Sequence, residues 1–276
     1  RTVFLQDGNT PVMRTPELLA VLTYLKQTFP SVERITSYGR AKNAARKSLD
    51  EWKAIKQAGL SRLHVGMESG CDEVLQFMKK GVTAQEQAAG GRKVVEAGIS
   101  LSEYVMPGLG GQRWSEKHAR DTAWVLNQIS PDFIRLRSLI VRQGSMLYDR
   151  LLTGDFEVLP EDDVIAELRL FVESLDCCSY LASDQMSNLL WEVEGRLPQD
   201  KAKILSIIDA YRKLEPLKRL QVRLERRLGS YMSVYGRLDA ALEEKVEAAF
   251  QALRSEAPDA AAKVDATISA LKQGFI

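Results

Sequence analysis

The residues that could do chemistry follow short apolar runs. Glu68 ends the run Leu63-His64-Val65-Gly66-Met67 and is followed by Ser69-Gly70, so a strand-like segment delivers a carboxylate to its tip. Burying that charge unpaired costs several kcal/mol. Two readings remain, a core ion pair with Arg62 or Arg40, or a ligand at the strand end. Asp7-Gly8-Asn9 follows the run Thr2 to Leu5, Ser37 to Arg40 ends a second run, and Pro107-Gly108-Leu109-Gly110-Gly111 follows a third. Singly, each reads as an ordinary turn. Lys79-Lys80 before Gly81 singly reads as a helix C-terminus complementing its dipole. Taken together they gather polar and glycine residues at one end of successive strands, which a ligand site there would require.

Other reactive residues carry less. Cys71, Cys177 and Cys178 form no disulfide framework in 276 residues and read as plain thiols. Their scarcity suits the reducing cytosol, so a cytoplasmic location is expected. His64 lies mid-strand and His118 inside a helix, without partners at metal-ligand spacing. Lys and Arg total 38 against 37 Asp and Glu, so net charge argues neither for nor against nucleic acid. No apolar run reaches the ~18 residues of a membrane-spanning helix, and the first residues are not a signal peptide. Residues 218–237 mix arginines with two tyrosines; RNA binding is one reading, and a solvated helix face is preferred.

The elements that must position these residues alternate. Thr15-Pro16-Glu17 opens a helix to about Thr28, with threonine as N-cap, and Ser48 with Glu51 and Thr83 with Glu86 form capping boxes. Ser115 caps a further helix. The phrases QAGLSRLHV, from residue 57, and EAGISLSEYV, from residue 96, repeat a helix closing on glycine and feeding a strand. Such a βα repeat implies parallel strands with helices outside, and places the working face at the strands' C-terminal ends. The expected domains are a partial barrel over 1–145, a mostly helical connection over 146–200 with helices near 161–176 and 183–194, and a helical region over 201–276, broken near Gly229, Gly236 and Pro258.

In their order, DGN after one strand, VGMESG with VLQFMKKGVT after another and YVMPGLGG after the next resemble the radical S-adenosylmethionine superfamily, in the branch of the elongator catalytic subunit, the methylthiotransferases and oxygen-independent coproporphyrinogen oxidase. The likeness covers roughly residues 3–141. It implies a partial (β/α)6 TIM-like barrel lacking its first strand, followed by a helical C-terminal region. It also implies an enzyme that forms a 5′-deoxyadenosyl radical from S-adenosylmethionine with a [4Fe–4S] cluster, fed by a one-electron donor such as ferredoxin or flavodoxin. By position, Asp7, Gly8 and Asn9 would hold the amino group of the methionine moiety, and Glu68 the ribose hydroxyls. Lys80 would meet the methionine carboxylate in place of an arginine, with one point charge instead of a fork. Ser37 falls near a ribose-binding position, and Gly108, Leu109 and Gly110 match the turn where backbone approaches the adenine.

The family's C-x3-C-x2-C cluster loop has no counterpart here. Because the first strand here matches the family's second, the resemblance puts that loop before Arg1. Arg135 and Arg137 share one strand face, where they could meet an anionic substrate or pair with carboxylates; pairing is expected for at least one. Arg142 follows the same strand. Two alternatives stand beside the radical enzyme: a cluster-free barrel enzyme binding a phosphorylated substrate at PGLGG, and a non-catalytic barrel binding nucleotide or protein.

Overall fold

Apolar runs separated by capped, helix-period segments give strands that pair in parallel, because each returns through a crossover. The computed structural model, which describes residues 1–6 and 8–275, has this order. Strands β1 (Thr2–Leu5), β2 (Arg34–Arg40), β3 (Leu60–Glu68), β4 (Ser100–Val105), β5 (Phe133–Leu136) and β6 (Tyr180–Ala182) lie side by side in chain order, all parallel. β7 (Gly195–Arg196) ends the row antiparallel to β6. The sheet does not close. Helices α1 (Thr15–Thr28), α2 (Ala41–Arg46), α3 (Leu49–Ala58), α4 (Asp72–Phe77), α5 (Ala84–Glu96) and α6 (Gly111–Ile129) connect the first five strands. After them come α7 (Met146–Thr153), α8 (Glu161–Ser174), α9 (Lys201–Arg212), α10 (Pro216–Tyr235), α11 (Ala240–Arg254) and α12 (Ala260–Gln273). Among the described residues, no helix is long and apolar enough to cross a membrane.

Strand periodicity divides the sheet into two faces. Leu63, Val65 and Met67 of β3 and Leu101 of β4 are fully buried in a core shared with helix residues such as Leu18 and Trp52. Each such side chain contributes about 1.5–3 kcal/mol on burial. The alternate residues, among them Arg62, His64 and Tyr104, lie on the opposite face, called the open face below.

Both capping boxes form, at Ser48 with Glu51 and at Thr83 with Glu86. Two caps differ. Thr15 is the first residue of α1, and its hydroxyl donates to Glu51 across the helix layer. Ser115 is the fifth residue of α6, where its hydroxyl donates to Glu167 at 2.6 Å. In each case a long-range carboxylate outcompetes the local backbone.

The expected helix over 183–194 is absent. The chain instead enters β6, which completes the hydrogen bonding of β5, and then a loop whose Asn188 holds Leu136 and Ser138 through side-chain bonds. The sheet therefore runs on past residue 145. Gly229 does not break α10, which passes through it; Gly236 does, in the left-handed region.

The arginines of α10 are not a solvated face. Arg223 and Arg227 are buried, Arg223 pairing with Asp265 and Arg227 with Glu161, while Arg219 and Arg226 reach Asp162 and Glu192. Charges read as solvent-facing in the sequence instead tie α10 to α8, α12 and the loop after β6.

Candidate functional site

The register between β3 and β4 slips between Gly66 and Glu68, leaving Met67 as an extra residue. Such a bulge bends its strand and re-aims the side chain that follows. Glu68 takes φ 66°, and the Ser69 amide donates to the Met67 carbonyl at 2.8 Å, forming a tight turn around it. A non-glycine residue held in that region costs about 1–3 kcal/mol and marks a place where surrounding structure imposes the geometry. The Glu68 carboxylate meets the Lys80 ammonium at 2.7 Å, with 30% and 23% of the two side chains exposed. Glu68 is thus paired, with Lys80 and not with Arg62 or Arg40. A partly exposed ion pair stabilises by only about 0–1 kcal/mol, too little to explain the strained tip.

Glu68 and Lys80 line a hollow of about 490 Å³ together with Gly8, Tyr38, Arg40, Lys42, Lys79 and Tyr104. Its volume falls within the range of ligand sites. Gly8, at φ 63°, has nothing within 4 Å of where a side chain would start, so bare backbone faces the hollow. Asn9 braces its wall: its side-chain oxygen accepts from the Arg40 amide at 3.0 Å, and its amide donates to Asn43 at 3.1 Å. Asp7 lies outside the described residues.

Ser37, Gly108, Leu109 and Gly110 are not brought to this hollow. Ser37 is fully buried on the helix side, its hydroxyl engaged by Thr10 and by the Tyr38 carbonyl. The Gly108 amide is taken by Glu167 at 2.7 Å, and Leu109 packs beside Cys71 and Val74. A Cβ on Gly110 would stand 3.0 Å from the His118 Cβ and from the Trp114 backbone. Gly110 lets the turn press onto α6, whereas a Cβ on Gly108 would meet Val164 of α8 and Leu139. Glu167 and His118 fix it from behind: His118 meets the Ser69 hydroxyl at 2.8 Å through Nδ1 and the Met106 carbonyl at 3.1 Å through Nε2. No local spacing signals that role, since Ser69, His118 and Glu167 lie far apart along the chain. Gly110→Val should accordingly cost about 1–3 kcal/mol of folding stability by overpacking. Urea unfolding checks this; unchanged stability would show that the turn is free to move away from α6.

The described cysteines do not fit an iron–sulfur cluster. Cys71 follows β3, whereas Cys177 and Cys178 precede β6, at the other end of the sheet. Burial pushes the Cys71 thiol up to about 11, unsuited to metal ligation at neutral pH. Cys71 lies near Glu73 and Asp121, but Lys117 already bridges those two carboxylates at 3.1 and 2.5 Å.

Further along the open face, Arg135 and Arg137 both pair with Asp184. Burial would raise the Asp184 carboxyl, yet the two guanidiniums outweigh it and hold it low. Arg142 donates instead to the Phe275 carbonyl.

No family model matches this chain. It is similar to the tRNA uridine(34) acetyltransferases of Methanocaldococcus jannaschii and Methanocaldococcus infernus, 23% identical over 108 residues in each, covering 39% of this chain and 20% of each relative. The chain thus spans about a fifth of the length of those curated relatives. Among solved structures it is similar to the archaeal Methanocaldococcus infernus Elp3 lacking its N-terminus, at 15% identity and a TM-score of 0.51, covering 66% of this chain and 48% of that one. At such identity the likeness establishes fold. What this chain shares with that Elp3 structure is an α/β fold, here with an unclosed, mostly parallel sheet.

Proposed function

We propose, on the premise of that fold, that the chain carries the S-adenosylmethionine-binding part of a radical enzyme and that the hollow beside Glu68 receives the cofactor. The observation that carries this reading is the strained tip of β3, where Glu68 and Lys80 meet across a ligand-sized hollow floored by the bare backbone of Gly8. S-Adenosylmethionine bound there would supply an adenosyl group able to abstract hydrogen once an electron is delivered.

The chain's own part is binding and orientation. Glu68 offers a carboxylate to ribose hydroxyls, and Lys80 a cation to the methionine carboxylate. On binding, each would exchange part of its present partner for the ligand. Gly8 leaves room for the amino-acid end, and the Tyr38 and Tyr104 rings form an apolar wall that excludes water from a reactive group. The described residues hold no cradle for a [4Fe–4S] cluster, so no step is assigned to one. A one-electron donor such as ferredoxin or flavodoxin belongs to the same proposal.

A phosphorylated substrate at PGLGG is disfavoured, because Glu167 already takes the Gly108 amide that would receive an anion.

Calorimetric titration with S-adenosylmethionine tests the reading. Glu68→Gln keeps the side-chain shape and removes its charge. It should weaken binding by tenfold or more, in line with about 1.5–3 kcal/mol for a charge-assisted hydrogen bond. Affinity within threefold of wild type, or no binding by the wild-type chain, would overturn it.

A further inference from the structure

The open face carries a row of four rings, of which the cofactor hollow borders two. Phe4, Tyr38, His64 and Tyr104 come from four neighbouring strands, with successive centroids 4.8, 5.7 and 5.8 Å apart. Tyr38 and Tyr104 border the hollow, and Phe4 is 38% exposed. Guanidinium groups stand over the neighbouring rings: Arg137 lies 5.0 Å from the centre of Tyr104, and Arg62 lies 4.4 Å from the centre of Phe133.

Charge on this face does not balance. Arg34, Arg62, Arg135 and Arg137 all act on His64, while Asp132 and Asp184 are the carboxylates set against them. Asp184 serves two arginines at once, and one Asp132 oxygen is engaged by the Leu101 amide. Burial first, and then these arginines, lower His64 to about 4, so its ring is neutral at physiological pH. The Arg135 Nε and the His64 Nδ1 are buried with no hydrogen-bond partner among the described residues. Buried polar atoms left open, beside excess cation and flat rings, call for an acceptor that brings negative charge and a π face with it.

We infer that this face is a substrate site for a planar ring bearing an anionic oxygen group. The ring lies on Tyr38, His64 and Tyr104, and its carboxylate or phosphate meets Arg135, with Arg137 and Arg62 flanking. Guanidinium suits this task because it both stacks on rings and grips such oxyanions with a two-pronged fork. The inference supplies a substrate class for the proposed enzyme, and its test needs no S-adenosylmethionine.

Three naphthyl probes of equal ring size separate the terms in a fluorescence titration of the whole chain: 2-naphthoate, 2-naphthyl phosphate and the neutral 2-naphthalenemethanol. At least one anion should bind tenfold or more tighter than the alcohol, and the tighter of the two identifies the oxyanion the site prefers. Arg135→Gln should shrink that preference to within threefold while leaving the alcohol's affinity in place. Tyr104→Leu should weaken all three probes alike. Should Arg135→Gln fail to fold, as judged by circular dichroism, Arg62→Gln carries the same expectation, and Arg226→Gln, distant on α10, serves as the control that changes nothing. Equal binding of the three probes by the wild type overturns the site, as does an anion preference that survives the folded arginine variant. Loss of cofactor binding alone would overturn the preceding proposal and leave this one standing.

Discussion

Replacing Arg227 with alanine should cost about 3–5 kcal/mol of folding stability, the usual result of removing one partner from a buried ion pair. Arg227 is 2% exposed. Its Nε and Nη2 donate to one Glu161 oxygen at 2.9 and 2.7 Å, and Nη1 donates to the carbonyls of Met186, Ser187 and Asn188 at 3.2, 2.9 and 3.2 Å. The variant would take that donor from the Met186 and Ser187 carbonyls, leave the Asn188 carbonyl with the Trp191 indole, and leave Glu161 with Lys272. Arg227→Lys should recover little, because an ammonium cannot span both sets of acceptors. Arg226→Ala, which removes a partly exposed pair with Glu192, should cost under about 1 kcal/mol.

The same network sets an acid limit. Burial pushes Glu161 upward, but Arg227 and Lys272 overcome it and hold the carboxyl at about 2, below its usual 4.5. A depressed carboxylate contributes stability that is present above its unfolded value and lost as pH falls through the folded one. Wild type should therefore lose on the order of 3 kcal/mol between about pH 4.5 and 2 from this group, and Arg227→Ala much less. Urea titrations at several pH values measure both. An Arg227→Ala variant within 1 kcal/mol of wild type at pH 7 would mean that α10 is held by apolar contacts alone.

Glu103→Gln should stabilise the protein, and by an amount that depends on pH. Glu103 lies on the helix-facing side of β4, 3% exposed, with Val65 and Ile134 beside it in register. One of its carboxylate oxygens has no hydrogen-bond partner among the described residues. Burial raises the carboxyl from 4.5 to about 8. Here the linkage runs opposite to that of Glu161: between the two values the folded state keeps a proton that the unfolded state has lost, so stability falls as pH rises. Above about pH 8 the penalty is complete. At 1.36 kcal/mol per unit, glutamine should gain up to about 5 kcal/mol at pH 8 and almost nothing near pH 4, where both side chains are neutral. Parallel stability–pH curves for the two proteins would show that Glu103 is hydrated or paired in solution.

Much of the architecture was legible beforehand. Two capping boxes, glycine helix ends and the strand-like runs specify parallel βα units through local preferences, and local preferences act within a few residues. Sequence by itself also placed Glu68 at a strand tip, since the run before it is apolar and the residues after it cannot continue a strand. Tertiary structure decided everything that depends on a distant partner. Lys80 became the partner of Glu68 because the turn after α4 returns there. Ser37 and Gly108 to Gly110 were drawn into packing, because a period-two pattern shows that faces alternate but not which face the helices cover. The arginines of α10 read as a solvated stripe, yet Arg227 finds Glu161 across 66 residues. Burial and pairing are set by where other elements come to rest, and no local spacing encodes that.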